Sequence, residues 1–600
     1  MNYYSNWKYW GLFCERGGGH SLEAQFLKRV QTTGFLLRGR KYSLGFEQEP
    51  SKNRPIFKEN RRELSQNMCS SNNKAGTNTY MGLDLSTQQL KAAIINDKLE
   101  ILYEEAVSFD SDLPEFRTQN GAVIDKADPQ YITAPVMMWV KAFDILLDKL
   151  TVAGADFTKL TALSGTAQQH GSVYWQKGAE DTLKKLNPSQ FLHEQLSHSF
   201  SVTNSPIWMD ASSTKQCKQL EDAVGGPKEL AQITGSRAYE RFTGSQIAKI
   251  YQTRPDAYKN TERISLVSSF VISLFLGKVA PIDLSDGSGM NLLDIRTKKW
   301  HQPLLDACAP DLKSKLGEPV PSDTDVGNVC SYFVDRYNFN PNCRIIAATG
   351  DNPASLIGLK LQAGWLAVSL GTSDTAFLWL KEPRLVLDGH VLCNPIDPQE
   401  YFALLCFKNG SLTRERIRNT CAEGSWDIFN QLLESTPRGN FGNLGLYYDV
   451  EEILPFLKGD YRYNKTQSVS KFSSLEVEVR ACVEGQFLAK RAYAEDYGLA
   501  IGSDIKILAT GGASANKALL QVLSDVFNSP VYVQDAANSA MLGAAYQAKQ
   551  SYGGKKYNEI IAALHNPTKV CDPYPDAPEI YDPMVVRFRQ IIKELVAQKK

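Results

Sequence analysis

The sequence predicts an α/β fold in which two related domains face each other across a shared cleft. A strand, a small polar tip and a second strand occur twice, about 290 residues apart. Later in the chain, a strand is followed by a Gly-Gly turn and a helix. Such repetition is typical of two similar domains that each contribute one loop to a common site. We therefore expect the cleft to hold the ligands.

The first hairpin covers residues 80–95 and has its tip at Asp84-Leu85-Ser86-Thr87. The spacing of apolar residues then predicts a helix over 135–150 and a strand over 160–163. This strand leads into segment 164–171, which contains His170. A histidine at a strand's end is well placed to hydrogen-bond a polyhydroxylated ligand, although a single histidine is more often structural.

Charged residues between 208 and 241 are weaker candidates for a site. Asp210 follows Trp208 by two positions, and Arg237 and Arg241 lie in the segment GSRAYERFTG. The default interpretation of all of them is a solvated charged turn.

A candidate base and the second hairpin lie within residues 345–380. A buried strand over 345–348 ends at Thr349-Gly350-Asp351-Asn352, and a turn there would present a carboxylate where open α/β sheets bind ligands. Strands over 366–370 and 375–380 then flank the tip Gly371-Thr372-Ser373-Asp374. The amides and hydroxyls of this tip suit phosphate oxygens, and an ordinary hairpin turn is the alternative.

The last motif is a strand over 505–509 that meets Gly511-Gly512-Ala513-Ser514 and continues into an apolar-faced helix. A tight Gly-Gly turn allows a flat ring to lie against the main chain. A strand over 531–533 and a helix of small residues over 536–545 complete this α/β unit.

Composition limits the possible partners. Lysine plus arginine equals aspartate plus glutamate, at 66 each, so no overall field attracts nucleic acid or an anionic membrane. The most apolar stretch, 264–276, is shorter than the roughly 20 residues of a spanning helix. The eleven cysteines include no C-x-x-C pair and are typical of reduced thiols. We expect a cytoplasmic protein, monomer or homodimer, that binds neither nucleic acid nor membrane.

Residues 1–78 differ from the rest because they carry scattered basic residues and no amphipathic period. We predict a disordered extension or a misassigned start with Met68 as the initiator. A transit peptide is the third alternative, against which the acidic residues of this segment argue.

Together these motifs resemble the FGGY family of sugar kinases, which consist of two ribonuclease-H-like domains of the actin and hexokinase type. The resemblance extends from about residue 80 to the last residue and is strongest to the animal xylulokinases. The segments that carry it, in the family's order, are SGTAQQHGSVYW, TGSRAYERFTG, TGDNPASL, VSLGTSDT, CFKNGSL and ATGGASANKALLQVL. It implies an N-terminal domain over 79–360, with the sugar and first phosphate hairpin, and a C-terminal nucleotide domain over 361–600.

The resemblance implies ATP-dependent phosphorylation of D-xylulose at its 5-hydroxyl, which supplies the pentose phosphate pathway, with Mg²⁺ as cofactor. Asp351 matches the family's base, and Asp84 matches an acid associated with magnesium and phosphate. The matched sugar-binding residues are His170, Arg241, Asp351 and Asn352. The matched nucleotide-binding residues are Trp426, Gly512, Ala513 and Asn516, with Gly371, Thr372 and Ser373 around the terminal phosphates.

One position departs from the family pattern. Many bacterial relatives carry an arginine two residues after the Trp-x-Asp element, whereas Asp210 is followed here by Ala211 and Ser212. The resemblance therefore assigns no role to Asp210.

Two alternative functions remain open at this point. One is a kinase for a related ketose or polyol such as ribulose, and the other is a catalytically silent sugar-binding protein on the same fold. Loss of Asp84 or Asp351 would indicate the silent protein, and both residues are present.

Overall fold

The computed structural model describes residues 78–384, 386–502, 504–534, 537–554, 556–562, 564 and 566–599. The predicted extension lies outside the described residues except for its last position. The strands are β1 (Thr79–Leu85), β2 (Gln89–Asn96), β3 (Ile101–Ser108), β4 (Val123–Ile124), β5 (Ile132–Pro135), β6 (Leu160–Ala167), β7 (Ser172–Gln176), β8 (Asn204–Pro206), β9 (Thr261–Leu266), β10 (Leu293–Asp294), β11 (Lys299–Trp300), β12 (Asp325–Asn328), β13 (Arg344–Ile346), β14 (Thr349–Gly350), β15 (Trp365–Leu370), β16 (Asp374–Leu380), β17 (His390–Cys393), β18 (Tyr401–Phe407), β19 (Leu444–Tyr448), β20 (Gly459–Tyr463), β21 (Ser468–Val469), β22 (Lys506–Thr510), β23 (Val531–Val533) and β24 (Thr568–Cys571).

The helices are numbered in chain order. They are α1 (Phe109–Asp112), α2 (Val136–Val152), α3 (Ala179–Lys184), α4 (Leu192–Gln195), α5 (Thr214–Ala223), α6 (Pro227–Thr234), α7 (Thr243–Thr253), α8 (Pro255–Lys259), α9 (Val267–Leu276), α10 (Leu284–Gly287), α11 (Gln302–Cys308), α12 (Leu312–Leu316), α13 (Ser331–Tyr337), α14 (Asp351–Gly358), α15 (Ser411–Cys421), α16 (Trp426–Ser435), α17 (Leu475–Asp496), α18 (Lys517–Phe527), α19 (Ser539–Gly553), α20 (Tyr557–Ile561) and α21 (Ala577–Lys599).

Two seven-stranded sheets have the same plan. In the first, the order is β12-β13-β6-β1-β2-β3, with β14 also paired to β6. In the second, the order is β17-β18-β16-β15-β22-β23-β24. In both, an antiparallel hairpin (β1–β2 or β15–β16) lies beside a parallel strand (β6 or β22). This correspondence confirms the repetition expected from the sequence.

Each sheet is covered by helices with apolar faces. Trp139 and Phe143 of α2 and Phe270 and Phe275 of α9 are fully buried in the core of the first sheet, and the rings of Phe143 and Phe275 meet edge to face at 5.9 Å. The long helix α17 provides much of the second core, for example with Phe487. Burial of such apolar faces is the main stabilising contribution to both layers.

Two glycines allow the main chains of α14 and α19 to touch, and a third glycine allows β1 to touch α19. A Cβ at Gly358 would lie 1.9 Å from the carbonyl oxygen of Ser539, and one at Gly543 would lie 2.0 Å from that of Ala354. A Cβ at Gly82 of β1 would lie 2.2 Å from the carbonyl oxygen of Met541. Helix α19, which belongs to the C-terminal part of the chain, therefore packs directly on the first sheet. The predicted domain boundary near residue 360 stays a prediction.

Most predicted elements are present, but several bounds differ from expectation. The helix predicted over 536–545 is α19, which runs from Ser539 to Gly553, and the strand predicted over 345–348 is β13, which ends at Ile346. The strand predicted over 160–163 continues to Ala167, four residues further. The turn predicted at 349–352 is instead β14 followed at once by α14, so that Asp351 is the first residue of a helix. Among the described helices, none is long and apolar enough to cross a membrane.

Candidate active site

The tip of the first hairpin carries Asp84, which is 4% exposed. Its Oδ2 accepts a hydrogen bond from Ser86 Oγ at 2.9 Å and lies 3.2 Å from Lys91 Nζ, directly across the hairpin. Its Oδ1 is buried and has no hydrogen-bond partner among the described residues. Lys91 also donates to Asn538 Oδ1, just before α19. One carboxylate oxygen is thus held in place while the other remains available to a ligand.

Asp351 begins α14, whose N-terminal cap is Gly350. The main-chain N–H of Asn352 donates to Asp351 Oδ1 at 2.8 Å, and the Asn352 side-chain amide lies 3.1 Å from the same oxygen. Asn352 also donates to Gln169 Oε1 at 2.9 Å. These contacts fix the carboxylate at the carboxyl edge of β6 and β14.

Two further carboxylates lie behind Asp351. Gln169 Nε2 donates to Asp286 Oδ1 at 3.1 Å, and Ser268 Oγ donates to Asp286 Oδ2 at 2.6 Å. Asp283 accepts the main-chain N–H of Asp286 at 3.1 Å. These two acids were not predicted from the sequence, although the segment SDGSG at 285–289, an acid among small residues between apolar runs, was an available signal.

The carboxylates of Asp351, Asp286 and Asp283 all have raised pKa values. Burial raises the pKa of Asp286, and burial together with the charge of Asp286 raises that of Asp283. Burial, followed by the charges of Asp84 and Asp286, raises the pKa of Asp351 to about 7. A carboxylate with a pKa near neutrality is well suited to accept and release a proton in a reaction at pH 7.

His170 and Arg241 are brought together around Phe242. The His170 ring stacks on Phe242 at 4.4 Å, and its Nδ1 lies 3.1 Å from the carbonyl oxygen of Gly289. Nδ1 must therefore carry the proton, which leaves Nε2 as an acceptor. Burial and the charge of Arg241 lower the pKa of His170 to about 3, so the ring is neutral.

The backbone of His170 has φ 71°, a left-handed conformation that residues other than glycine rarely adopt. Thr243 Oγ1 donates to the His170 carbonyl oxygen at 2.9 Å and helps to hold it. Such local strain is often found at functional sites.

The default interpretation of Asp210 as part of a solvated turn is wrong, because its side chain is 1% exposed. It accepts hydrogen bonds from the Ile132 main chain at 2.9 Å, from Ser212 and from Gln246 Nε2 at 2.8 Å. Asp210 therefore joins three segments of the first half. Its neighbour Trp208 donates from Nε1 to Thr87 Oγ1 at 2.8 Å and so holds the first hairpin tip.

The second hairpin carries a fully buried acid, Asp374, inside its tip. Asp374 accepts the Gly371 main-chain N–H at 3.1 Å, contacts Arg414 at 2.9 and 3.1 Å, and lies 2.8 Å from Lys490 Nζ. Burial alone would raise the pKa of Asp374, but the charges of Arg414 and Lys490 outweigh it and hold the pKa below its usual value. A Cβ at Gly410 would lie 2.7 Å from the carbonyl oxygens of the tip.

The Gly-Gly turn lies against the end of this hairpin. Gly511 has φ 82°, and a Cβ there would lie 2.7 Å from the carbonyl oxygen of Leu370, so glycine is required on both counts. Asn516 caps α18 by accepting the Leu519 N–H at 3.2 Å. It also donates to Asn430 Oδ1 at 2.8 Å.

Asn430 lies on α16, whose first residue is Trp426. The Trp426 ring is partly buried, and the Arg418 guanidinium lies 4.6 Å from its centre. The residues predicted to bind the nucleotide thus form two neighbouring groups. Gly371 lies beside Gly511 and Gly512, and Asn516 lies beside the helix that begins with Trp426.

Comparison with known proteins identifies the family. The model of the FGGY family of carbohydrate kinases, N-terminal domain, matches residues 198–358, and the C-terminal domain model matches residues 366–551. The xylulose kinase of Rattus norvegicus is 53% identical over 88% of this chain and 99% of its own length. Xylulose kinase 2 of Arabidopsis thaliana is 49% identical over 80% of this chain and 88% of its own.

This chain belongs to the FGGY family of carbohydrate kinases. Solved structures agree with this assignment at the level of the fold. A xylulose kinase from Rhodospirillum rubrum superposes with a TM-score of 0.71 at 15% identity, over 86% of this chain and 99% of that one. A ligand-bound xylulose kinase from Lactobacillus acidophilus gives 0.70 at 18%, over 87% and 99%. The FGGY kinase described here therefore has the two-domain fold of the actin and hexokinase type.

In this FGGY kinase, the predicted sugar residues and Asp84 form one group at the carboxyl edge of the first sheet. The predicted nucleotide residues form a second group at the corresponding edge of the second sheet. The described residues contain no cluster of three or more histidine, cysteine or acidic side chains that could enclose a metal ion.

Proposed function

We propose that this FGGY kinase transfers the γ-phosphoryl group of ATP to the 5-hydroxyl of D-xylulose. The observation that carries the proposal is Asp351, a carboxylate held at the start of α14 with a pKa of about 7. The curated relatives that are 49–53% identical are xylulose kinases, which supports this sugar over other FGGY substrates.

In the proposed reaction Asp351 acts as the general base. It accepts the proton of the 5-hydroxyl while that oxygen bonds to the γ-phosphorus and the bond from the γ-phosphorus to the β,γ-bridging oxygen breaks. ADP leaves with the bridging oxygen. Asn352 keeps one oxygen of Asp351 oriented, and both residues lie within reach of the sugar in this proposal.

His170 and Arg241 are proposed to bind the sugar hydroxyls with complementary groups. The neutral His170 ring offers Nε2 as an acceptor, because Nδ1 donates to Gly289. Arg241 offers only donors. A ketose hydroxyl can donate to the first and accept from the second, so the pair favours a polyhydroxylated ligand.

The nucleotide is proposed to bind the second group of residues. Gly371, Thr372 and Ser373 supply amides and hydroxyls to the terminal phosphates, and Gly512 and Ala513 supply a close main-chain surface. Asn516 and Trp426 flank the remainder of the nucleotide. Internal neutralisation of Asp374 supports this assignment, because the tip does not repel an anion.

Magnesium fits the first hairpin. The unpartnered, buried Oδ1 of Asp84 is a suitable ligand for the cation or for one of its waters. When bound, magnesium would neutralise the charge that develops on the phosphate oxygens. We propose that Asp84 holds it, with Lys91 keeping the carboxylate in place.

The proposed setting is the cytoplasm, with the protein acting as a monomer or homodimer on small molecules. The described cysteines are all free thiols, which supports a reducing compartment.

ADP release across a panel of pentuloses, hexuloses, glycerol and gluconate tests the proposal. We expect D-xylulose to give the highest kcat/KM, and NMR of the product should show phosphate on the 5-oxygen. A higher kcat/KM with ribulose would move the assignment to the related ketose. Absence of ADP release with every sugar, in a protein that still binds them, would favour the catalytically silent alternative.

A further inference from the structure

His390 is a residue of the second sheet that reaches the proposed sugar site. It is the first residue of β17, it is 5% exposed, and its Nε2 lies 2.6 Å from Nη2 of Arg241. On the other side of the ring, Nδ1 lies 3.1 Å from Ser236 Oγ. The contact therefore joins the C-terminal part of the chain to an arginine of the N-terminal part.

The protonation state of His390 follows from these two contacts. Arginine can only donate, so Nε2 must be the acceptor and must carry no proton. The proton of the neutral ring is then on Nδ1, which donates to Ser236 Oγ. Burial, followed by the charges of Arg241, His170 and Arg237, lowers the pKa of His390 far below its usual value and keeps the ring neutral.

Aromatic rings also hold the Arg241 guanidinium in place. Its guanidinium carbon lies 4.8 Å from the centre of the Tyr239 ring and 5.5 Å from that of Phe242. His390 packs against the same two rings, at 4.8 and 5.1 Å. Among the described residues, the bond to His390 is the one hydrogen bond of the Arg241 guanidinium. Its other N–H groups are directed by that bond and remain available to a ligand.

We propose that His390 is a positioning residue for sugar binding, which acts by orienting the Arg241 guanidinium toward the hydroxyls of the substrate. This inference rests on the proposed function, since it takes Arg241 as a sugar ligand. It adds a residue from the second sheet to a site that otherwise belongs to the first half of the chain. The sugar site is complete only when both halves contribute.

Two substitutions test the acceptor role. His390→Phe keeps a ring but removes the acceptor, and His390→Gln provides an oxygen near the position of Nε2. We expect His390→Phe to raise KM for D-xylulose about 10-fold or more, because the half-buried Arg241 guanidinium loses the acceptor that orients it, with kcat and KM for ATP changed less than about 3-fold. His390→Gln should recover most of the lost affinity. Ser236→Ala should give a smaller change in the same direction.

A double-mutant cycle separates positioning from packing. If His390 acts through Arg241, then His390→Phe should add little to KM in an Arg241→Ala background. An equal increase in both backgrounds would overturn the proposal, as would an unchanged KM in a folded His390→Phe protein. If His390→Phe does not fold, His390→Asn is compared with His390→Gln, because the shorter asparagine places its oxygen too far from Arg241. Equal KM values for D-xylulose in these two variants would overturn the proposal.

Failure of the proposed function is recognised separately. The wild-type protein is first assayed with the sugar panel, and calorimetric binding of the preferred sugar then replaces KM if D-xylulose is not turned over. Loss of binding in His390→Phe with that other sugar would support the positioning role even though the substrate assignment had failed. Unchanged binding would refute the positioning role alone.

Discussion

The two hairpin tips occupy equivalent places in the two sheets, but the aspartates that they carry have opposite electrostatic surroundings. Both hairpins are antiparallel and both lie beside a parallel strand, β6 or β22. Asp84 at the first tip has one lysine neighbour and one unpartnered oxygen, close to the charge of Asp351. Asp374 at the second tip is enclosed by Arg414 and Lys490.

This difference separates two tasks that a kinase must perform. The first tip carries negative charge, which together with burial raises the pKa of the proposed base and, in our proposal, attracts a cation. The charge of Asp374 in the second tip is neutralised by Arg414 and Lys490, so that in our proposal the amides of this tip bind the phosphates without a competing carboxylate. A duplicated fold can thus present one acidic and one anion-binding loop across the same cleft.

The largest effect should come from the acidic side, through Asp351→Asn. The amide keeps the shape but cannot accept the proton, so we expect kcat to fall by about 10² to 10⁴-fold while affinity for the nucleotide changes little. Turnover with D-xylulose and calorimetric binding of each ligand check this. A variant with near-normal kcat would rule out Asp351 as the base.

The same variant should be more stable than wild type at high pH. Because the folded pKa of Asp351 is raised to about 7, its contribution to stability is present at low pH and is lost as pH rises through 7. Removing the charge should therefore raise Tm by about 1–2 °C at pH 8 and by less at pH 5. A lower Tm at both values would indicate a structural role instead.

The matched pair Asp84→Asn and Asp374→Asn tests the comparison directly. Asp374→Asn leaves two buried cations without their partner and should destabilise the fold by about 3–5 kcal/mol, as measured by thermal or denaturant unfolding. Asp84→Asn weakens the ion pair with Lys91 but removes a repulsive neighbour of Asp351, and Lys91 keeps Asn538 as a partner, so the free energy of unfolding should change much less.

In the activity assay we expect the opposite order, with a larger effect of Asp84→Asn than of Asp374→Asn. Asp84→Asn should raise the Mg²⁺ concentration required for half-maximal activity by about 10-fold or more. If both variants lower Tm equally and leave the magnesium requirement unchanged, the two tips are electrostatically alike and our comparison is wrong.

The smallest effect should come from Asp286→Asn. Removing this negative charge lowers the cost of ionising Asp351, so its pKa should fall and the acid limb of the kcat/KM profile should move to lower pH by roughly half a pH unit. Asp144→Asn is the control, because Asp144 is also buried but pairs with His193. A shift in the control, or a shift to higher pH in Asp286→Asn, would contradict this explanation.

The sequence was sufficient to predict the structural elements that depend on neighbouring residues. Both hairpins and the Gly-Gly turn depend on neighbouring residues, namely alternating apolar positions and small turn residues, and all three were predicted within a residue or two. Asp351 was a candidate base because of its place at the end of a strand, whereas the assignments to His170 and Arg241 came from resemblance to the family. The roles of all three residues remain predictions.

Residues that act through distant partners could not be predicted in this way. Gln169 meets Asn352 from 183 positions away, and His390 meets Arg241 from 149. Lys490 lies on α17, where charged residues are ordinarily solvated, yet it is buried against Asp374. Such pairs depend on how the sheets and helices pack, and one sequence without its fold contains no local signal of that packing.

The glycine contacts between α14 and α19 have a consequence for reading genetic variants. Gly358 and Gly543 touch no ligand in our proposal, and a missense change such as Gly358→Ser would be scored as mild by chemical similarity. The new side chain would nevertheless overlap the main chain of Ser539. Since α14 begins with Asp351, the backbone shift required to relieve the overlap would displace the proposed base. A protein with such a substitution should therefore lose enzyme activity per molecule, even where the protein is still made.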